Sequence, residues 1–186
     1  VFPINTPHGS SIEQLSVRLR SGEECLGSGF LVNPSIDSQK AYLLTARHCV
    51  AEADLSNGLI IDRYDYPTGT FESVCLTTGA FAVYYFEEER AYDLAVIAVD
   101  KQFLFGSVPT IRLRKRPTAQ LDYRFRGFPA AFNHQRPEEL TGECVLAILG
   151  TQSTIHVLTP LEGHTSPDAL SNVQGFSGSG LYVERS

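Results

Sequence analysis

The chain has 186 residues, of which 42% are hydrophobic and 19% charged, and its formal net charge is −6. That length fits one domain or two small lobes sharing an interface, and the apolar content supplies a core that a disordered chain lacks. The acidic balance argues against a nucleic-acid partner, which draws on clustered Lys and Arg, and no apolar stretch approaches the roughly 20 residues of a membrane span.

In chain order the predicted elements are strands. "LSVRLR" places Leu15, Val17 and Leu19 on one face and Ser16, Arg18 and Arg20 on the other, a strict period of two. "GFLV" and "AYLL" follow as continuous apolar runs, expected to be strands buried on both faces. "HCVAEADL" fits a short helix, and Pro67-Thr68-Gly69 marks a turn. "LAVIAV" is another buried strand. Gly106, Pro109, the basic run Arg112, Arg114, Lys115, Arg116 and then Pro117 mark a boundary. The basic run reads as a solvated strand end. Beyond it "LDYRFR" repeats the alternation with Leu121, Tyr123 and Phe125, and "VLAIL" is again a buried run. Short strands punctuated by turns predict an all-β barrel or sandwich. The expected division is a lobe over 1–105, a connection over 106–117 and a second lobe over 118–186.

Three residues carry candidate chemistry. His48 follows a buried strand in "YLLTARHCV", where an imidazole can face a cleft and serve as a general base near neutral pH. Asp93 precedes the apolar run Leu94 to Ala98, and a carboxylate beside a buried strand needs a partner such as an imidazole N–H. Ser177 lies in "GFSGSG", where glycines permit a sharp turn that exposes Oγ and lets backbone N–H groups converge. A Gly/Ser linker is the plainer reading of that stretch, but Phe176 within it and "LYV" behind it do not suit a linker. His8, His134 and His156 read as surface or structural histidines, with His134 near a possible cleft edge. No CxxC, HExxH, P-loop or GxGxxG occurs, so neither a metal nor a cofactor is expected.

Together these motifs resemble the trypsin-like (chymotrypsin-fold) serine peptidases. "GSGFLV", "LLTARHC", "DLAVI" and "GFSGSG" match the family's strand before the histidine and its His, Asp and Ser motifs, in that order. The separations fit as well: 45 residues from His48 to Asp93 and 84 from Asp93 to Ser177. "RGFPAAF" resembles the opening of the second barrel in bacterial members, and the resemblance spans about residues 12–184. It implies two six-stranded antiparallel β-barrels, with His48 and Asp93 on the first and Ser177 on the second. It further implies peptide-bond hydrolysis through an acyl-enzyme, with Ser177 as nucleophile, His48 as base and then acid, and Asp93 orienting His48. The backbone N–H groups of Gly175 and Ser177 would form the oxyanion hole, and Ser171 would lie at the base of the specificity pocket. Asp168 and His164, in the same loop, read as solvated residues. Phe176 stands where zymogen-activated members carry an aspartate, so pairing with a freshly cut N-terminus is not expected.

The resemblance also places Cys25 and Cys49 where many secreted members carry a disulfide. Bridged, they would close a loop of about 24 residues, worth about 3 kcal/mol, and would argue for an extracytoplasmic or secreted setting. As free thiols they would be small buried apolar groups in a cytoplasmic domain of a multidomain protein. Cys75 and Cys144 are expected to stay unpaired. Only nine residues follow Ser177, and the chain begins at Val1 with no Met anywhere. The second barrel is therefore expected to be incomplete in this chain, the remainder coming from further sequence or from a partner chain. The expected ligand is a protein or peptide substrate.

Overall fold

The computed structural model describes residues 11–85, 93–106, 108–109, 121–129, 133–149, 152–158, 177–179 and 181–183. A one-turn helix, α1 (Ser11–Leu15), leads into a seven-stranded antiparallel sheet. Its strands are β1 (Ser16–Ser21), β2 (Glu24–Val32), β3 (Lys40–Thr45), β4 (Leu59–Asp65), β5 (Thr70–Leu76), β6 (Phe81–Tyr85) and β7 (Ala95–Asp100). They run across the sheet in the order β5-β4-β1-β2-β3-β7-β6, and α2 (His48–Ala51) sits between β3 and β4. A second antiparallel sheet holds β8 (Leu121–Gly127), β9 (Glu138–Leu149), β10 (Gln152–Leu158) and β11 (Leu181–Val183), in the order β10-β9-β8-β11.

The alternation in β1 gives the first sheet its inner face. Val17 and Leu19 are fully buried, with Leu43 of β3, Ile61 of β4 and Ile97 of β7 in the same cluster. Each such side chain contributes about 1.5–3 kcal/mol by leaving water. The apolar run of β2 is buried continuously from Gly27 to Val32, as expected for a strand covered on both faces. The β1–β2 ladder carries a bulge: Leu19 pairs with Gly27 and Arg20 with Cys25, leaving Leu26 unmatched.

One expectation needs correction. The first sheet has seven strands, not six. The stretch after α2 turns twice, at Asp65–Thr70, where the Gly69 N–H bonds the Asp65 carbonyl at 2.8 Å, and at Thr77–Ala80, bonded at 2.9 Å. Two turns make three strands from residues 59–85. The polar face of β1 is covered as well: Ser16 and Arg18 are both buried. The period of two is present, but the outer face is covered. The Arg18 guanidinium lies 3.8 Å from the centre of the Phe71 ring, and its Nη1 donates to the His134 carbonyl at 2.7 Å.

Beneath that contact lies a buried ion cluster. Asp62 has no exposed surface and accepts from Arg18 Nε at 2.8 Å, Arg20 Nε at 2.7 Å and Ser73 Oγ at 2.6 Å. Burial alone would push the Asp62 carboxyl up. Hydrogen bonds from Arg20, Ser73 and Arg18 outweigh it and hold the group below the usual carboxylate range. Phe128, fully buried just after β8, packs its ring 5.8 Å from Phe71 and brings the second sheet against the first.

Candidate active site

His48 is placed by the strand before it. β3 ends at Thr45, and Ala46 and Arg47 turn the chain into α2, whose first residue is His48. Asp93 is placed by the strand after it. β7 pairs with β3, Ala95 opposite Thr45, so continuing the ladder by two residues sets Asp93 opposite Arg47. The two strands that the sequence marks as apolar runs therefore bring base and acid together from positions 45 residues apart.

The contact has two parts. The His48 backbone N–H, one of the unpaired donors of the α2 N-terminus, donates to Asp93 Oδ1 at 2.9 Å. The His48 Nδ1 meets Asp93 Oδ2 in a short hydrogen bond. Desolvation alone would raise the Asp93 carboxyl. Bonds from the His48 N–H, the His48 ring and the Arg47 N–H hold it below the usual carboxylate range. An ionised carboxylate only accepts, so Nδ1 carries a proton, and in the neutral ring that tautomer puts the lone pair on Nε2. The dyad is open: the side chains of His48 and Asp93 are 59% and 54% exposed.

The turn at Ser177 is seated against the first sheet. Its carbonyl accepts the Ser28 N–H at 2.9 Å and faces the Cys49 thiol at 3.7 Å. Cys49 directly follows His48 in the chain. Gly178 adopts φ +84°, and a Cβ there would lie 2.2 Å from the Ser28 carbonyl oxygen and 2.4 Å from Thr45 Oγ1. The glycine after the serine is thus required both by its backbone angle and by close approach. Gly27 is required on the opposing side, where a Cβ would lie 2.7 Å from Cys49 Sγ.

The structure joins His48 to Asp93 directly and sets the Ser177 carbonyl against Ser28 and the Cys49 thiol. Gly175 and Phe176, Ser171, expected at the pocket base, and the loop residues His164 and Asp168 lie outside the described residues, as do His8 and the basic run at 112–116. The Cys25–Cys49 bridge is not formed; both are free thiols. The Cys49 sulfur is turned into the contact with Gly27 and the Ser177 carbonyl, and burial pushes its thiol up to about 11. His134 is structural. Its Nδ1 bonds the Phe128 carbonyl at 2.6 Å, and Asn133 and His134 both hold positive φ in a tight turn. No group of three metal-ligating side chains converges among the described residues.

Sequence reasoning overlooked Ser28 and Thr45, both buried polar residues at the seat of Ser177. The signal was the pair of glycines flanking Ser28, since glycine inside a strand marks close backbone approach.

No family model matches the chain, and no curated protein matches it. Solved structures do. The Rv3671c protease in its inactive form is 17% identical, with a TM-score of 0.55, covering 92% of this chain and 72% of that one. Neuropsin, a serine protease expressed in the limbic system of mouse brain, is 14% identical with a TM-score of 0.52, covering 94% and 79%. Human heparin binding protein is 11% identical with a TM-score of 0.58, covering 95% and 78%. The curled antiparallel sheet of β1–β7, with a smaller sheet beside it, gives this chain the chymotrypsin-like fold of the trypsin-like serine proteases, present here in incomplete form.

Proposed function

We propose that the protein is a serine endopeptidase, built as two lobes over 1–105 and 118–186 joined by 106–117, with His48, Asp93 and Ser177 as its triad. The observation that carries this reading is the double hydrogen bond of Asp93 to His48, which in the neutral imidazole sets the lone pair on Nε2, together with the Ser177 turn held against Ser28 and Cys49. His48 Nε2 takes the Ser177 Oγ proton as the oxygen attacks the scissile carbonyl. Asp93 stabilises the imidazolium that forms. The N–H groups of Gly175 and Ser177 bind the developing oxyanion. His48 then returns the proton to the leaving amine, and water attacks the acyl-enzyme by the same relay. The substrate is a protein or peptide, and Ser171 gives the pocket a neutral base.

The test is hydrolysis of a mixed fluorogenic peptide set by the intact protein, with an initial burst of product matching the protein concentration. Asp93→Asn keeps the shape and presents the wrong tautomer, so the rate is expected to fall on the order of 10⁴-fold. Hydrolysis that Asp93→Asn leaves unchanged rules the mechanism out.

A second reading is favoured by one observation, the exposure of Asp93, since the orienting acid of a working triad is buried. On that reading the chain is a peptidase-fold binding module, inactive or latent until a further segment or a partner chain covers the dyad. It predicts no hydrolysis by the chain alone and hydrolysis once the missing cover is supplied.

A further inference from the structure

We propose that Ser28 is the positioning residue for the Ser177 hydroxyl, an assignment that rests on reading Ser177 as the nucleophile. Ser28 lies in β2, fully buried, and is bonded in three directions. Its N–H donates to the Ser177 carbonyl at 2.9 Å. Its carbonyl accepts from Thr45 Oγ1 at 2.8 Å. Its hydroxyl accepts the Phe128 N–H at 3.0 Å.

Each partner belongs to a different part of the site. Thr45 ends β3, three residues before His48. Phe128 directly follows β8, and β8 pairs with β11, the strand that begins four residues after Ser177. One small residue therefore links the sheet that holds the base to the end of the strand that pairs with β11. Two of these bonds use the Ser28 backbone and survive substitution; the bond from the Phe128 N–H is the one that needs the hydroxyl. Ser28→Ala leaves the buried Phe128 N–H unpaired. β8 then shifts, and the Ser177 turn shifts with it through β11. The reacting oxygen is misplaced relative to His48, and misplacement of about 1 Å is enough to slow chemistry strongly.

Ser73 provides the contrast. Its hydroxyl also makes a partly buried hydrogen bond, to Asp62 Oδ1 at 2.6 Å, but on β5 at the edge of the first sheet. If Ser28 only supports the fold, the two alanine variants behave alike.

The experiment compares wild type, Ser28→Ala and Ser73→Ala of the intact protein in peptide hydrolysis, labelling by a fluorophosphonate probe and thermal unfolding. Ser28→Ala is expected to lower kcat and the labelling rate about tenfold while KM stays within about twofold. Ser73→Ala is expected to lower the unfolding midpoint with kcat unchanged. A Ser28→Ala protein with wild-type kcat, or an equal kcat loss in Ser73→Ala, overturns the proposal. If Ser28→Ala does not fold, Ser28→Cys, a weaker acceptor of similar size, is expected to give an intermediate kcat, and a wild-type kcat there overturns it as well. A wild type inert to peptide and probe alike overturns the nucleophile reading and this proposal with it. An active wild type with an indifferent Ser28→Ala overturns this proposal alone.

Discussion

Gly178 holds φ +84° with no room for a side chain: a Cβ would fall 2.2 Å from the Ser28 carbonyl oxygen and 2.9 Å from the Ala46 nitrogen. Gly22, in the β1–β2 turn, also has positive φ, +57°, but nothing lies within 4 Å of where its Cβ would be. The pair separates backbone strain from crowding. Gly22→Ala is expected to cost about 1 kcal/mol, the strain alone, and Gly178→Ala about 3 kcal/mol or more in urea unfolding. Equal losses at the two positions would show that the Ser177 turn is not seated on β2 and β3. The His48–Asp93 contact was legible because each candidate sits in a local pattern: histidine after a buried strand, aspartate before one. Ser28 was not, because the glycines flanking it mark a close approach without saying which groups its hydroxyl bonds across the fold.

The elements show where periodicity informs and where it stops. β1, β2, β3 and β7 were legible because their apolar residues alternate or run continuously. β5 was not: its exposure along Thr70–Leu76 follows no alternation, and only the Pro67–Gly69 turn before it is marked. The alternation of β1 identifies the inner face correctly but cannot tell what covers the outer one, where Arg18 is buried. The cluster that results is testable. Asp62→Ala leaves Arg18 without its buried partner, and a loss of about 3–5 kcal/mol is expected in chemical unfolding. The pH dependence has a definite sign. The folded carboxyl lies below its unfolded value of about 3.9, so in acid the unfolded chain binds more protons. The contribution of Asp62 is complete above about pH 5 and drains as the pH falls through the folded value. Unfolding midpoints of wild type and Asp62→Asn are therefore expected to converge in acid; a constant gap down to pH 2 contradicts the assignment.

Across the whole molecule, two antiparallel sheets meet where Ser28, Thr45 and Cys49 on one face the Ser177 turn and Phe128 on the other. The fold class was legible because strand periodicity and motif order agree. The strand count of the first sheet was not, because it depends on turns in a stretch of weak alternation. The absent Cys25–Cys49 bridge was not legible either, because spacing cannot say which way a sulfur points. Fold alone does not settle chemistry, since one fold serves catalysts and binders alike. What settles it is whether His48 activates Ser177. The most direct measurement is mass spectrometry of the intact protein after fluorophosphonate treatment, with peptide mapping of the adduct. A single adduct on Ser177, lost in His48→Ala, is the predicted result. A folded protein with no adduct on Ser177, or one whose labelling is indifferent to His48→Ala, contradicts it.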